Sequence, residues 1–346
     1  MPGGRQGGDA ACRRAWAAAA ALRADGVPSC NPSPRRGSLH ACARPPSCCA
    51  RRAHPGLPGR GAELSAPSVA SPADAALLAA ARDALAASNA RTLVFTHHGE
   101  RCIAKREAAA ARGATPALLA RWFARRVTGV ALPMRAVGLE TSAGFEARRL
   151  LALAAAGIRV PRLLHHGEGF LLMEHCGPTV ASLLGGWDRA TWRRELGAQA
   201  VELAAFHRAG QWHGGAQIKN LTRKDGQTWR IDFEETFGEH VPLPAAQAFD
   251  VVLFLNSISL RGPIDEAEAR SLLPALMRAY LDANPDPEVR AVFVRALPWA
   301  RAAGALAAPL RSLSFGGRRR NGAARLGLLA QAIGAALTQN RAGGVT

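Results

Sequence analysis

Several residues of this sequence have the types and the order expected of a site that binds a nucleotide phosphate. Lys105 lies near the end of a predicted strand, and Glu146 lies on a predicted helix about forty residues later. A glutamate that pairs with a lysine across a small sheet can aim the ammonium group at the α- and β-phosphates of a nucleotide. The chain has only three lysines (Lys105, Lys219 and Lys224) among 44 Lys and Arg residues. Because arginine is so strongly favoured, a retained lysine indicates a need for its compact ammonium group.

The second part of this set is a loop from His213 to Asn220, followed by Asp232. Asn220 and Asp232 are separated by a predicted hairpin. A carboxylate and an amide oxygen that meet at the mouth of a hairpin can coordinate Mg²⁺. His207 and His213 have two interpretations. In the first they act as a general base or a metal ligand, and in the second they hold the backbone geometry of the loop. We favour the second. Neither Asn220 nor Asp232 is informative alone, but the order Lys, Glu, His, Asn, hairpin, Asp is much more specific.

The elements that must position these residues begin near residue 71. Ser71 can cap a helix whose first position is Pro72, and a helical stripe of leucines follows. Two β-rich runs, Thr92–Thr96 and Arg101–Arg106, flank a short turn and predict a hairpin. The His97-His98 pair in that turn could bind a metal ion, but neighbouring histidines in a turn are usually solvated.

Further elements follow along the chain. A helix is predicted over Pro116–Val127, and another runs from Phe145 to Ala156. A turn is predicted around Gly167, with a strand over Phe170–Met173 behind it. The remaining predicted elements are a long helix between Asp188 and Gly210, a hairpin over residues 221–231 with an Asp225-Gly226 turn, and helices from residue 245 to about 338.

This order of elements predicts an α+β protein with two lobes. Residues 71–174 would form a small sheet-containing lobe with the hairpin, the Lys105 strand, a helix and a hinge. Residues 175–340 would form a mostly helical lobe with the loop and the second hairpin. Residues 1–70 are rich in Ala, Arg, Gly and Pro without a sustained period, which predicts a disordered basic leader.

The candidate residues lie within short motifs whose order is informative. They are Ile103–Lys105, Glu146, Met173–Gly177, Leu203–His207, His213–Asn220, Ile231–Phe233 and Phe249–Val252. Together they resemble the protein-kinase-like superfamily, and most closely its bacterial branch of lipopolysaccharide core (Kdo and heptose) kinases. Aminoglycoside phosphotransferases are more distantly similar. The resemblance covers residues 90–260 well and the helical remainder loosely, and it implies a two-lobed protein-kinase-like fold.

The resemblance also implies roles for particular residues. ATP would be held by Lys105, by its partner Glu146 and by a hinge that includes Glu174 and Cys176. Mg²⁺ would be held by Asn220 and Asp232, and Asp250 would brace the catalytic loop. The implied reaction is phosphoryl transfer to a hydroxyl acceptor such as an envelope saccharide, in the cytoplasm or peripherally at the inner membrane.

The sequence departs from this pattern in the catalytic loop. Gly215 stands where the family carries the catalytic Asp, so the residue that would accept the acceptor's hydroxyl proton is missing. His213, Gln217 and Asn220 are then the candidate catalytic residues, with Gln217 able to orient the nucleophile. A pseudokinase, which binds nucleotide without transfer, is the alternative. In addition, no Gly-rich loop precedes Thr92, and Phe-Glu rather than Phe-Gly follows Asp232.

The net charge of +18 raises a third possibility, contact with nucleic acid or an anionic membrane. Residues 1–65 carry +7, with ten Arg and three acids, but no interleaved aromatic residues support base stacking there. The basic run Gly316–Arg320 predicts a solvated loop, with a contact to anionic lipid as the functional reading. Nucleic acid is the less favoured partner. No stretch approaches the roughly 18 apolar residues of a membrane-spanning helix.

Overall fold

A computed structural model of the chain describes residues 72–107, 125, 127, 143–167, 169–307, 309 and 317–342. The predicted leader and the predicted cap at Ser71 therefore lie outside the described residues. Of the predicted helix over Pro116–Val127, only Arg125 and Val127 are described, and both are helical. The architecture is α+β, with a small antiparallel sheet N-terminal to a mostly helical part, as the sequence predicts.

A four-stranded antiparallel sheet forms the N-terminal part in the strand order β1-β2-β4-β3. The predicted hairpin is present, with Lys105 opposite Thr92 on one side and Leu171 on the other. Helix α1 packs Ala81 and Leu85 against one face of the sheet. The strands are β1 (Thr92–His97), β2 (Glu100–Arg106), β3 (Leu163–Gly167) and β4 (Phe170–Glu174), and α1 spans Pro72–Ala86.

Strand β3 corrects the sequence prediction, which placed only a turn around Gly167. The segment Leu163–Gly167 pairs antiparallel with β4, with a register shift between Leu163 and His165. The sequence Leu-Leu-His-His-Gly contains no β-branched residue and does not alternate apolar with polar positions, so it lacks the usual strand pattern. Its extended state follows from pairing with β4, which is tertiary context rather than local propensity.

Helix α2 (Ala143–Ala155) lies between the sheet and the helical part. Its residues Ala143 and Ala147 pack against the sheet, together with Leu171 and Met173. Its other apolar residues, Phe145, Leu150 and Leu153, join the main core. Because one helix contacts both parts, Glu146 on its first turn is buried between them, with 1% of its surface exposed.

The helical part begins with the short helix α3 (Val180–Leu183) and the long helix α4 (Arg189–Arg208). The predicted cap is confirmed, since Asp188 accepts a hydrogen bond from the Thr191 amide at 2.7 Å. Gly210 follows with a φ of +74°, as expected where a helix ends. The later helices are α5 (Leu243–Ile258), α6 (Glu266–Ala283), α7 (Pro287–Ala307) and α8 (Gly317–Ala342).

A second hairpin connects the loop to Asp232. Strands β5 (Leu221–Lys224) and β6 (Gln227–Arg230) pair through the predicted turn, where Asp225 and Gly226 have φ angles of +52° and +72°. Two consecutive positive φ angles are typical of a type I′ turn, whose twist suits a tight hairpin. The hairpin brings Ile231 back to Asn220, and the Ile231 amide donates to the Asn220 carbonyl at 3.0 Å.

The predicted loop at Gly316–Arg320 is wrong from Gly317 onward, because α8 begins there and Arg318–Arg320 are helical. Arginine is a good helix former, so a basic run alone does not predict a loop. Among the described residues, no helix combines the length and apolar character needed to cross a membrane.

Candidate functional site

Lys105 is surrounded by three carboxylates at the junction of the sheet and the helical part. Its Nζ atom lies 2.7 Å from Glu146 Oε2, 2.6 Å from Asp232 Oδ1 and 3.1 Å from Glu234 Oε2. The structure therefore brings together Lys105, Glu146 and Asp232, which the sequence predicts as partners, and adds Glu234.

The alternation of side chains along β2 explains why Lys105 faces this cluster. Ala104 packs on the α1 side of the sheet, whereas Ile103 packs with the residues on the α2 side. Because successive side chains point to opposite faces of a strand, Lys105 shares the face of Ile103 and reaches toward α2. Glu146 meets it there, and it lies in the first turn of α2, where a carboxylate is favoured by the helix dipole.

The charges of the cluster shift one another's pKa values. Burial alone would lower the pKa of Lys105, but Glu146 and Asp232 raise it above its ordinary value. Burial raises the pKa of Glu146, and Lys105 opposes that effect. Burial would likewise raise the pKa of Asp232, but Lys105 lowers it below its ordinary value. The ammonium group therefore stays charged at neutral pH and holds the carboxylates together.

Asp232, which contacts Lys105, has a left-handed backbone conformation. Asp232 has a φ of +70°, in the left-handed region that favours glycine and that Asp and Asn adopt more readily than other residues. The next amide, from Phe233, donates to Glu146 Oε1 at 3.2 Å, and the Phe233 ring stacks on His213 with centroids 4.3 Å apart. Such strain persists only where surrounding contacts enforce it, and it concentrates at functional sites.

Glu234 is the residue that the sequence reasoning missed. Both of its carboxylate oxygens accept from the Arg91 guanidinium, with Nη1 3.1 Å from Oε1 and Nη2 bonded to Oε2. Arg91 immediately precedes β1, and Glu234 follows the Asp232-Phe233 pair. The signal in the sequence is the Phe-Glu pair that follows Asp232 in place of Phe-Gly. A carboxylate two residues beyond Asp232 lies within reach of the same cation.

The loop that begins at His213 is held by Asp250 of α5. The Asp250 carboxylate accepts from the amides of His213 and Gly214 at 2.5 and 2.8 Å, and His207 Nε2 lies 3.4 Å away. Burial lowers the pKa of His213 to about 4, so its ring is neutral at pH 7. His213 Nδ1 accepts from the Gly215 amide at 3.2 Å. These contacts favour the interpretation in which both histidines hold backbone geometry.

Gly215 and Asn220 contact each other within the loop. Asn220 Nδ2 donates to the Gly215 carbonyl at 2.9 Å, and a Cβ atom at Gly215 would lie 3.3 Å from the same nitrogen. Among the described residues, no side-chain hydrogen bond joins Asn220 to Asp232. The backbone amide of Gln217 also donates to the Gly215 carbonyl, at 2.7 Å. No described residue forms a hydrogen bond with the Gln217 side chain. Thus Asp232 contacts Lys105 directly, whereas Asn220 is held by the loop.

The predicted hinge residues form a separate group at the end of β4. Glu174 Oε1 lies 2.7 Å from Lys224 Nζ, so this side chain contacts the second hairpin rather than Lys105. The buried Cys176 thiol contacts the Glu174 carbonyl at 3.9 Å, and burial raises its pKa to about 12. Cys176 is therefore an unreactive thiol at neutral pH. Within the described part of the chain, no residue accepts a hydrogen bond from the Cys176 backbone amide.

The carboxylates around Lys105 can also serve as metal ligands. One oxygen from each of Glu146, Asp232 and Glu234 lies within 4.8 Å of the others. Hard divalent cations such as Mg²⁺ take oxygen ligands of this kind. With Lys105 and Arg91 as the cations in contact with them, the cluster carries one excess negative charge, which favours binding of a cation.

No protein-family model matches this chain, and no curated protein matches it in sequence.

Proposed function

We propose that this protein is a kinase-like protein that binds ATP and Mg²⁺ and transfers a phosphoryl group to a hydroxyl acceptor of the saccharide or lipopolysaccharide type. The observation that carries the proposal is the contact of Lys105 with Glu146 and Asp232 at 2.7 and 2.6 Å. A lysine oriented by a helical glutamate, beside a metal-binding aspartate, is the arrangement that protein kinases need for phosphoryl transfer.

In this proposal Lys105 contacts the phosphates while Glu146 holds its direction. Asp232 and Glu234 are the nearest carboxylates for Mg²⁺, and Asn220 supplies a further oxygen from the loop. The bound Mg²⁺ would neutralise charge on the transferred phosphoryl group. Catalysis of this kind depends on positioning and charge stabilisation, which these residues provide.

The hinge region supports a place for the adenine base. The Glu174 carbonyl and the Cys176 amide are backbone groups beside the sheet, and the Cys176 amide makes no hydrogen bond to any described residue. A buried backbone amide without a partner is costly, and a ligand that accepts from it would remove the cost. Adenine offers such an acceptor beside a donor, so it can pair with both groups.

The test is calorimetric titration of the full chain with Mg-ATP, combined with a phosphate-release assay. Asp232→Asn should weaken Mg-dependent binding by about tenfold to a hundredfold, because a charge-assisted contact is lost. Asp225→Asn, in the exposed hairpin turn, is the matched control and should bind like the wild type. If the wild-type protein neither binds Mg-ATP nor releases phosphate, the proposal is overturned.

Gly215 specifically favours a second function, a pseudokinase that binds nucleotide without transferring phosphate. The amide of Asn220 contacts the Gly215 carbonyl, and no carboxylate stands at position 215 to accept the acceptor's proton. Binding without phosphate release would select this function. Gly215→Asp tests the loop directly, since gain of turnover in this variant would identify position 215 as the site of the missing base.

A further inference from the structure

A cavity of about 190 Å³ lies between the end of α2, helix α4 and the second hairpin. Its buried side is formed by Phe206, Thr228 and Arg230. Its outer edge is formed by Gly157, Ile158, Arg159, Glu202 and Ala205.

Arg230 is the unusual residue of this cavity. It is 6% exposed, and its guanidinium carbon lies 4.8 Å from the centroid of the Phe206 ring. No described residue accepts a hydrogen bond from its guanidinium group, although its backbone amide donates to the Arg159 carbonyl at 3.1 Å. Burial lowers its pKa to about 10, against an opposing effect of Glu202, so it remains charged at pH 7. The guanidinium nitrogens are not among the fully enclosed polar atoms, so water or a ligand in the cavity can accept from them. A nearly buried charge gains most from an acceptor that also carries charge.

The other charges at the cavity do not supply that partner. Glu202 lies 3.9 Å from the Arg159 guanidinium, and both side chains are substantially exposed. Arg159 Nε donates to the Thr228 carbonyl at 3.0 Å, which holds this arginine at the edge of the cavity. Two guanidinium groups and one carboxylate therefore line the cavity, with the positive excess at its buried end.

We propose that this cavity binds a small tetrahedral oxyanion of the phosphate class, either free or as the phosphate group of a small metabolite. Arg230 donates from the buried side, where its guanidinium carbon lies over the Phe206 ring. Arg159 is the second cation, at the edge. Planar guanidinium groups bind such oxyanions through paired hydrogen bonds, and binding is strongest where water is excluded. The site is distinct from the cluster around Lys105.

The experiment measures the unfolding temperature of the full chain with increasing inorganic phosphate at constant ionic strength and pH 7. We expect a saturable increase in the wild type and none in Arg230→Met, which keeps an unbranched apolar side chain and removes the guanidinium charge. Arg189→Gln, at the exposed first residue of α4, is the matched control and should respond like the wild type, because the cavity residues lie near the other end of this helix. A parallel titration with glycerol 3-phosphate distinguishes the two sources, since a stronger response identifies a phosphate monoester and an equal one identifies free phosphate.

Two further variants keep the test decisive if Arg230→Met does not fold. Ala205→Glu places a carboxylate at the exposed edge and should abolish the response, whereas Ala205→Gln, of equal size, should retain it. Equal responses in the wild type and Ala205→Glu, or no response in the wild type, would overturn the proposal.

Discussion

Replacing Lys105 with Met removes the cation from a cluster of three carboxylates and leaves the backbone of β2 unchanged. The Lys105 and Glu146 side chains are 8% and 1% exposed, so their ion pair is little screened by solvent. Loss of one partner from a buried ion pair costs about 3–5 kcal/mol, because the remaining charge is left uncompensated. We expect Lys105→Met to lower the free energy of unfolding by an amount in this range at pH 7.

The companion variant Glu146→Gln should cost less, about 1–2 kcal/mol. Lys105 keeps its contacts with Asp232 and Glu234, and the Gln oxygen can still accept from the Phe233 amide. In the double variant neither buried charge remains, so the two costs should not add. A coupling energy of about 2 kcal/mol is expected from this cycle.

The assay is urea denaturation of all four proteins, with equal slopes as the condition for comparing their midpoints. The pH dependence gives a second readout. Without Lys105 the pKa of Glu146 is raised further. At pH 5 Glu146 therefore holds a proton in the folded protein, whereas in the unfolded chain it has mostly released it. The cost of Lys105→Met should therefore be smaller at pH 5 than at pH 7. Strictly additive costs, or a cost independent of pH, would refute the reasoning.

Three further predictions follow from the loop and the cluster. The pKa of His213 is lowered to about 4 in the folded protein, so as pH falls His213 is protonated in the unfolded chain before it is protonated in the folded one. The free energy of unfolding should therefore fall by roughly 2–3 kcal/mol between pH 6.5 and pH 4. His213→Gln should flatten that fall in a pH series of denaturation curves. Gly214→Ala, whose Cβ would lie 2.8 Å from a Glu235 atom, should lower the melting temperature much more than Gly226→Ala, which meets nothing within 4 Å. Glu234→Gln should weaken Mg-dependent ATP binding by about tenfold in calorimetry.

Local sequence patterns predicted the elements that carry their own signals. The hairpin at Asp225-Gly226 and the cap at Asp188 depend on residues a few positions apart, and both are present as predicted. The contact of Lys105 with Glu146 was also predictable, because the strand and the helix each carry a recognisable pattern and lysine is rare in this chain.

Features that depend on tertiary contacts could not be predicted in this way. Strand β3 is extended because β4 pairs with it, and its own sequence shows no alternation. The pairing of Glu234 with Arg91 joins residues 143 positions apart, and no local pattern links the two. The sequence likewise does not predict that the Arg230 guanidinium lacks a hydrogen-bond acceptor among the described residues, because the chain contains many arginines.

Calorimetric titration of the full chain with Mg-ATP tests the central claim most directly. The account predicts saturable binding that requires Mg²⁺, that is weakened about tenfold or more in Asp232→Asn, and that is unchanged in Asp225→Asn. Absence of binding in the wild-type protein, or equal binding by Asp232→Asn, would contradict it.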